Sequence, residues 1–214
     1  MKFHRVLFIP ALCLLPSVGM AQKWEFGAAG GGSFYTSSTV TAANNSTVDA
    51  KFNPGFNAGV VFGQNNYKYF GGELRYSFIY NEMELSGNGG KATFGGEAHA
   101  IHYDFLVHTA PAGATIRPFV AAGAGIKFYR GTGTEVVTQP LSSYALLTKT
   151  SEVKPLISFG AGVKIRMSDR VQLRVELRDY ATPFPKNIIA PNNGSKVSGW
   201  VHDFMPMFGI SYLF

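Results

Sequence analysis

Cysteine is almost missing from this chain. The single Cys13 sits in the first twenty residues, so no disulfide framework can staple the rest. Charge is scarce as well: 15% of residues are Asp, Glu, Lys or Arg, against roughly 25% in an average globular chain. The formal charge of +6 is scattered, with no run of five like charges, which gives nucleic-acid binding no support. After residue 21 no apolar run approaches the ~18 residues that mark a transmembrane helix. No phosphate loop is present either, because Gly123-Ala124-Gly125 is followed by Phe128 where that motif needs a third glycine.

What is abundant is glycine, at 25 residues, and aromatic side chains, at 14%, with 18 Phe and 10 Tyr. Low charge with many rings argues against disorder. A coiled coil would be rich in Ala, Glu, Lys and Leu instead. The excess suits strands, aromatic rows and tight turns.

The first residues read as an address. Met1 to Arg5 is a short basic stretch, and Val6 to Leu15 is an apolar run too short to span a bilayer as a helix. Gly19 and Ala21 place small residues at −3 and −1 of a cleavage site before Gln22. Residues 1–21 are therefore expected to be a signal peptide and residues 22–214 the mature domain. Cys13 follows Leu12, without the small residue expected before a lipidated cysteine. Removing Lys2 and Arg5 leaves 17 basic and 13 acidic residues, so the exported chain carries about +4.

Beyond the leader, hydrophobicity alternates with period two. Trp24, Phe26, Ala28 and Phe34 oppose Glu25, Gly27, Ala29 and Ser33. Runs follow at Phe52–Phe62, Phe70–Tyr80, Ile101–Val107, Val120–Phe128, Ile157–Ile165, Val171–Leu177 and Trp200–Phe214. Val171, Leu173, Val175 and Leu177 against Gln172, Arg174, Glu176 and Arg178 form the cleanest of them. The pattern predicts eight strands, all antiparallel. Connections alternate too. Ser37–Ala50, Met83–Ala92, Gly131–Val153 and Ala181–Ser198 are long, whereas Gln64–Lys68, Thr109–Thr115 and Ser168–Arg170 are short. Sorting of loop lengths by end is the habit of outer-membrane barrels, with short periplasmic turns and long extracellular loops. Hydrocarbon offers no partner to an open sheet edge, so such a sheet must close. The expected fold is an all-β, eight-stranded antiparallel up-and-down transmembrane β-barrel.

Aromatic residues gather at the ends of the greasy face: Trp24, Tyr212 and Phe214 at the periplasmic rim, Trp200, Tyr80, Phe128 and Tyr129 at the extracellular one. Amphipathic rings prefer both membrane interfaces. The competing fold is a soluble sandwich or lipocalin-like barrel with its greasy face inward. Against it, the other face is crowded with Gly, Ala and Ser beside charges.

The chain ends in Phe208-Gly-Ile-Ser-Tyr-Leu-Phe214, with Ile210 and Tyr212 in step with the final Phe214. This resembles the C-terminal signature read by the bacterial outer-membrane assembly machinery. With the leader and the strand pattern, Gln22 to Phe214 resembles the OmpA-like/OmpX-like family of small outer-membrane β-barrels. The resemblance implies an outer-membrane location and assembly through the last strand, without the peptidoglycan-binding domain of full OmpA proteins. Pro206 departs from the pattern by removing one ladder donor, and a bulge is expected there.

An eight-stranded barrel is just wide enough for side chains to fill. The inward charges expected to form a network are Glu73, Arg75, His102, Asp104, Arg117, Lys164, Arg166, Arg174 and Glu176, with Lys127, Arg178 and Asp203 beyond them. Strands three and seven lie opposite each other in an eight-strand ring, so the pairs Glu73/Arg75 and Arg174/Glu176 should meet across the axis. A mutually paired plug gives an envelope-integrity or surface-interaction protein; a hydrated lining gives a narrow porin-like pore with weak anion preference. A lipid-modifying enzyme is a third class. It would need an activated serine or a His–carboxylate pair at the rim. His102 and Asp104 share a lumen face without a local serine, and His202 and Asp203 point to opposite faces. His99 and His102 also face opposite ways, which defeats a metal site. No catalytic residue, cofactor or metal is therefore expected. Expected partners are outer-membrane lipids and the assembly machinery, for a monomer, with an unidentified extracellular ligand conceivable at loop 131–153. There Val136, Val137, Leu141, Tyr144, Leu146 and Leu147 are expected to extend strands five and six as a hairpin above the membrane.

Overall fold

A computed structural model describes residues 24–65 and 67–214. The expected leader, with Cys13 and the cleavage site before Gln22, lies outside the described residues. Eight long strands follow the predicted alternation: β1 (Trp24–Tyr35), β4 (Gly55–Gln64), β5 (Phe70–Gly87), β6 (Gly90–His108), β7 (Ile116–Gly131), β9 (Ser151–Arg166), β10 (Val171–Pro183) and β12 (Trp200–Leu213). Each pairs antiparallel with its neighbours in the chain. The first and last also pair, Phe26 with Tyr212 and Ala28 with Ile210, which closes the ring.

The alternation decides which face meets lipid. Phe26, Phe105 and Phe208 are 53%, 69% and 67% exposed on the outside. Glu73, Arg75 and Arg174, one residue out of step, are each 1% exposed in the lumen. The inward-greasy, soluble alternative is thus reversed. The rings named for the rims lie outside, except Tyr129. It faces inward, is buried, and shares a hydrogen bond of 2.7 Å with Thr182, because it alternates with the outward Phe128.

The extracellular connections differ from expectation. The segment Ser37–Ala50 is not an open loop: β2 (Ser38–Thr41) and β3 (Thr47–Phe52) form a hairpin, and β3 continues onto the upper end of β5 through Asp49–Phe52 against Met83–Ser86. Phe52 accordingly belongs to this buried hairpin rather than to the lipid face. Met83–Ala92 is not a loop either. β5 and β6 run on to a tight turn at Asn88-Gly89, whose φ angles of 48° and 74° match the twist of a two-residue hairpin. The hairpin expected within Gly131–Val153 does not form. Its residues β8 (Ala145–Leu147) pair instead with β11 (Ile189–Pro191) of the last loop. The physical reason is shared: inward apolar positions continue past the membrane, at Val40, Val48, Ala50, Met83, Leu85 and Phe94, and they bury one another.

Pro206 produces no bulge. It faces outward opposite Leu177 of β10. On the β1 side the pairing skips Gly32 and Ser33 and resumes at Phe34–Phe204 in the register it left at Gly31–Met207. The ladder is interrupted without being shifted. Glycine is required at position 31, because a β-carbon there would collide with the carbonyl of Pro206.

Candidate functional site

The lumen is divided into three levels. At the periplasmic level and just above it stand four carboxylates and four bases. Glu25 comes from β1, Glu73 and Arg75 from β5, Asp104 from β6, Lys164 from β9, and Arg174, Glu176 and Arg178 from β10. Alternation within each strand aims all eight inward, and all are at most 4% exposed. The bases interlock with the acids. Arg75 reaches across the ring to both oxygens of Glu176, one at 3.1 Å, and to Glu73 at 3.2 Å. Arg174 binds Glu25 and Glu73, the latter at 2.7 Å. Lys164 lies 2.7 Å from Glu25 and 3.0 Å from Glu73. Arg178 contacts Asp104, Glu176 at 3.1 Å and Glu73 at 3.3 Å. Each base touches at least two acids, and the eight charges cancel. The ring of Phe119, also buried, stands 5.6–5.8 Å from the Lys164, Arg174 and Arg178 cations, in cation–π range.

Strands three and seven of the ring, β5 and β10, therefore meet across the axis as their spacing implies. Two expected members behave differently. Arg117 finds no carboxylate within ion-pair distance among the described residues. It donates to Asn65 Oδ1 at 2.7 Å and to the carbonyls of Lys68 and Ala110 at 3.3 Å, tying two periplasmic turns together. Arg166 is half-exposed and forms no ion pair among the described residues, because it sits one inward step nearer the periplasmic mouth than Lys164. Glu25 is the member that the inward roll omits, although it alternates with Trp24 and Phe26. It accepts from Gln172 at 2.7 Å as well as from Lys164 and Arg174.

His102 is the cross-strand partner of Arg75. Its Nδ1 is 2.9 Å from Asp104 and its Nε2 is 2.6 Å from the Tyr180 hydroxyl, which lies 3.3 Å from Ser77 Oγ. Serine and imidazole are thus separated by a tyrosine, and every member is at most 2% exposed. Among the described residues no serine hydroxyl reaches His102, and the group is buried away from both rims.

The middle level is one ion pair in an aromatic cage. Lys127 Nζ stands 2.8 Å from Asp203 and 3.0 Å from the Tyr35 hydroxyl, and the rings of Tyr35, Tyr129 and Tyr180 surround it at 4.8–5.9 Å. Asp203 also accepts from Ser33 at 2.6 Å. The third level, toward the cell exterior, is apolar. Phe52, Met83, Leu85, Leu147, Ile188 and Ile189, from strand ends and loops, belong to one buried cluster.

The remaining assigned residues face outward. Trp24 and Trp200 are exposed at opposite rims, Trp24 stacked on Phe62 at 5.2 Å. Ile210, Tyr212 and Phe214 line the outer face of the closing seam, and Phe214 exchanges backbone hydrogen bonds with Trp24. In loop 131–153, Val136 and Val137 are exposed, Leu141 and Tyr144 half-buried, and Ala145 and Leu147 buried under β11.

Two solved outer-membrane proteins share this architecture. Neisserial surface protein A (NspA) is 11% identical, with 89% of this chain and 97% of that one covered, at a TM-score of 0.54. OprG from Pseudomonas aeruginosa is 12% identical, with coverage of 90% and 97%, at a TM-score of 0.56. At such identities the likeness is one of fold. No curated protein matches the chain. The family model for the outer membrane protein beta-barrel domain matches residues 8–203. With a closed eight-strand ring turned greasy side out, this protein belongs to that outer-membrane β-barrel family and resides in the outer membrane.

Proposed function

We propose that this barrel is a closed scaffold rather than a pore: its lumen is a salt-bridged plug, and its role lies in envelope integrity or in the surface its loops present. The observation that carries the reading is the burial of the plug. Arg75, Arg174 and Arg178 are each 1% exposed or less, and their carboxylate partners are at most 4% exposed. A water-filled pore would leave guanidinium groups accessible. Buried charges are tolerated only when paired and hydrogen-bonded, and here each of the four bases lies within ion-pair distance of at least two of the four acids, with Arg75 Nε and Arg174 Nε the guanidinium nitrogens left without a hydrogen-bond partner among the described residues. The apolar level above supports the same reading, since ions would have to cross it undressed of water. The weakly anion-selective pore would draw its preference from Arg117 and Arg166, which lie outside the paired cluster. The lipid-modifying alternative finds no exposed nucleophile beside His102.

On this reading Trp24 and Trp200 anchor the two membrane interfaces, and Ile210, Tyr212 and Phe214 serve outer-membrane assembly. Planar-bilayer recording of the refolded protein tests the plug. The wild type should show no sustained conducting steps, and Glu73→Gln or Glu176→Gln should introduce them by loosening the network. A large steady wild-type conductance that neither substitution changes would overturn the plug and favour the pore.

A further inference from the structure

At the extracellular tip three connections meet around a cleft of about 250 Å³. One wall is the β2–β3 turn, with Asn44 and Ser46 beside the methyl groups of Ala42 and Ala43. The second is Ser143 and Tyr144 of loop 131–153, and the third is Asn193 of the last loop. The walls are tied together. Tyr144 OH lies 3.0 Å from Ser46 Oγ, Asn193 Nδ2 donates to the Ser143 carbonyl at 3.4 Å, and the Asn192 amide donates to the Tyr144 carbonyl at 2.9 Å. The cleft is thus held by cross-loop bonds and by β8–β11 pairing beneath it.

The lining carries two amides, three hydroxyls and two methyls, and not one charged side chain. That composition offers no charged side chain to offset the desolvation of an anion, a cation or an amino-acid zwitterion. It also fits poorly with a purely apolar ligand, because half the wall is polar. A neutral sugar ring matches it. Its hydroxyl groups need neutral donors and acceptors in alternation, which amides and hydroxyls provide, and its C–H face suits small methyls and a tyrosine edge. Ser143 is exposed and its hydroxyl has no partner in the protein among the hydrogen bonds of the loop cluster, while Asn193 keeps its carbonyl oxygen free. We propose that this tip cleft binds one neutral saccharide unit. The inference deepens the surface-interaction side of the reading above. The saccharide has two possible sources, a glycan outside the cell or the sugar of lipopolysaccharide in the same leaflet.

The test uses the refolded protein in phospholipid nanodiscs, followed by amide NMR. Glucose, galactose and N-acetylglucosamine are titrated to millimolar excess, with sialic acid as the charged comparison. A parallel arm replaces the outer lipid with lipopolysaccharide, either bearing its sugars or reduced to lipid A. Saturable shifts confined to residues 42–46, 143–144 and 193 with a neutral sugar support the proposal and point to an external glycan. The same shifts only with sugar-bearing lipopolysaccharide support it and assign the membrane as source. Ser143→Ala and Asn193→Gly, the latter keeping the positive φ of 48°, should each weaken binding about fivefold, as expected for one lost neutral hydrogen bond. Neither should alter bilayer conductance, which separates failure of this site from failure of the plug. Preference for sialic acid, unchanged affinity in both variants, or no saturable shift in any arm would overturn the proposal.

Discussion

Glu176 faces three guanidinium groups, those of Arg75, Arg174 and Arg178. Replacing it with glutamine preserves shape and removes the charge, leaving buried bases in surplus. Breaking a buried pair in this way costs about 3–5 kcal/mol. Glu97 offers the contrast, since it pairs at 3.3 Å with an Arg130 whose side chain is 63% exposed. Urea titration in lipid should therefore show a large loss for Glu176→Gln and at most about 1 kcal/mol for Glu97→Gln. Similar losses would mean that the lumen is as wet as the surface. At this scale the sequence is informative about direction and less so about partnership. Period two shows that Glu73, Arg75, Arg174 and Glu176 share the inside, and ring order shows that they face each other. It does not show that Arg117 lies level with the turns, where carbonyls rather than carboxylates await it. Height depends on stagger between strands, which alternation alone does not encode.

Elements extend above the membrane on the same principle that builds them within it. Lipid-facing alternation ends near Tyr80 and Phe128, yet inward apolar positions continue through Met83, Leu85, Ala92 and Phe94, so β5 and β6 run on to Asn88-Gly89. The polar residues that suggest a loop occupy the outer face of this extension. Among them Glu84 lies 2.9 Å from Lys91 and 3.4 Å from Lys51. Burial alone would raise its carboxyl, but the hydrogen bond from Lys91 and the charges of Lys51 and Lys91 outweigh it and hold the group below its ordinary value. A depressed folded-state value means that this contribution is present above the ordinary carboxylate range and is lost as pH falls through the depressed value. Carboxyl NMR titration should place the Glu84 midpoint below that of an unpaired glutamate, and Lys91→Ala should move it up. An unmoved midpoint would show that the pair does not hold in solution. The seam at Pro206 is the opposite case, an element weakened locally. With the β1–β12 ladder missing at Gly32 and Ser33, amides flanking this gap should exchange with solvent deuterium faster than those of Leu173 or Val175 in the continuous β10 ladders. Uniform protection around the ring would contradict the interruption. No sequence rule separates an interrupted ladder from the expected bulge, because both answer the missing proline donor.

The whole molecule is a barrel with three kinds of filling: a neutral cluster of eight charges, a caged Lys127–Asp203 pair and an apolar cap. The barrel itself was legible from periodicity, closure physics and the sorting of loop lengths. The cap was not, because its residues come from four connections whose folding depends on contacts distant in sequence, such as Leu147 with Ile189. Together the three levels make the central claim that the lumen is dry. Because cysteine is absent after Cys13, single thiols can be placed cleanly. Ser77, in the lumen and 1% exposed, and Val137, fully exposed in the longest loop, form the decisive pair. Reaction with a charged, membrane-impermeant methanethiosulfonate in proteoliposomes should modify Val137→Cys at the rate of a free thiol and Ser77→Cys orders of magnitude more slowly. Equal rates at the two positions would show a lumen open to water and would contradict the account.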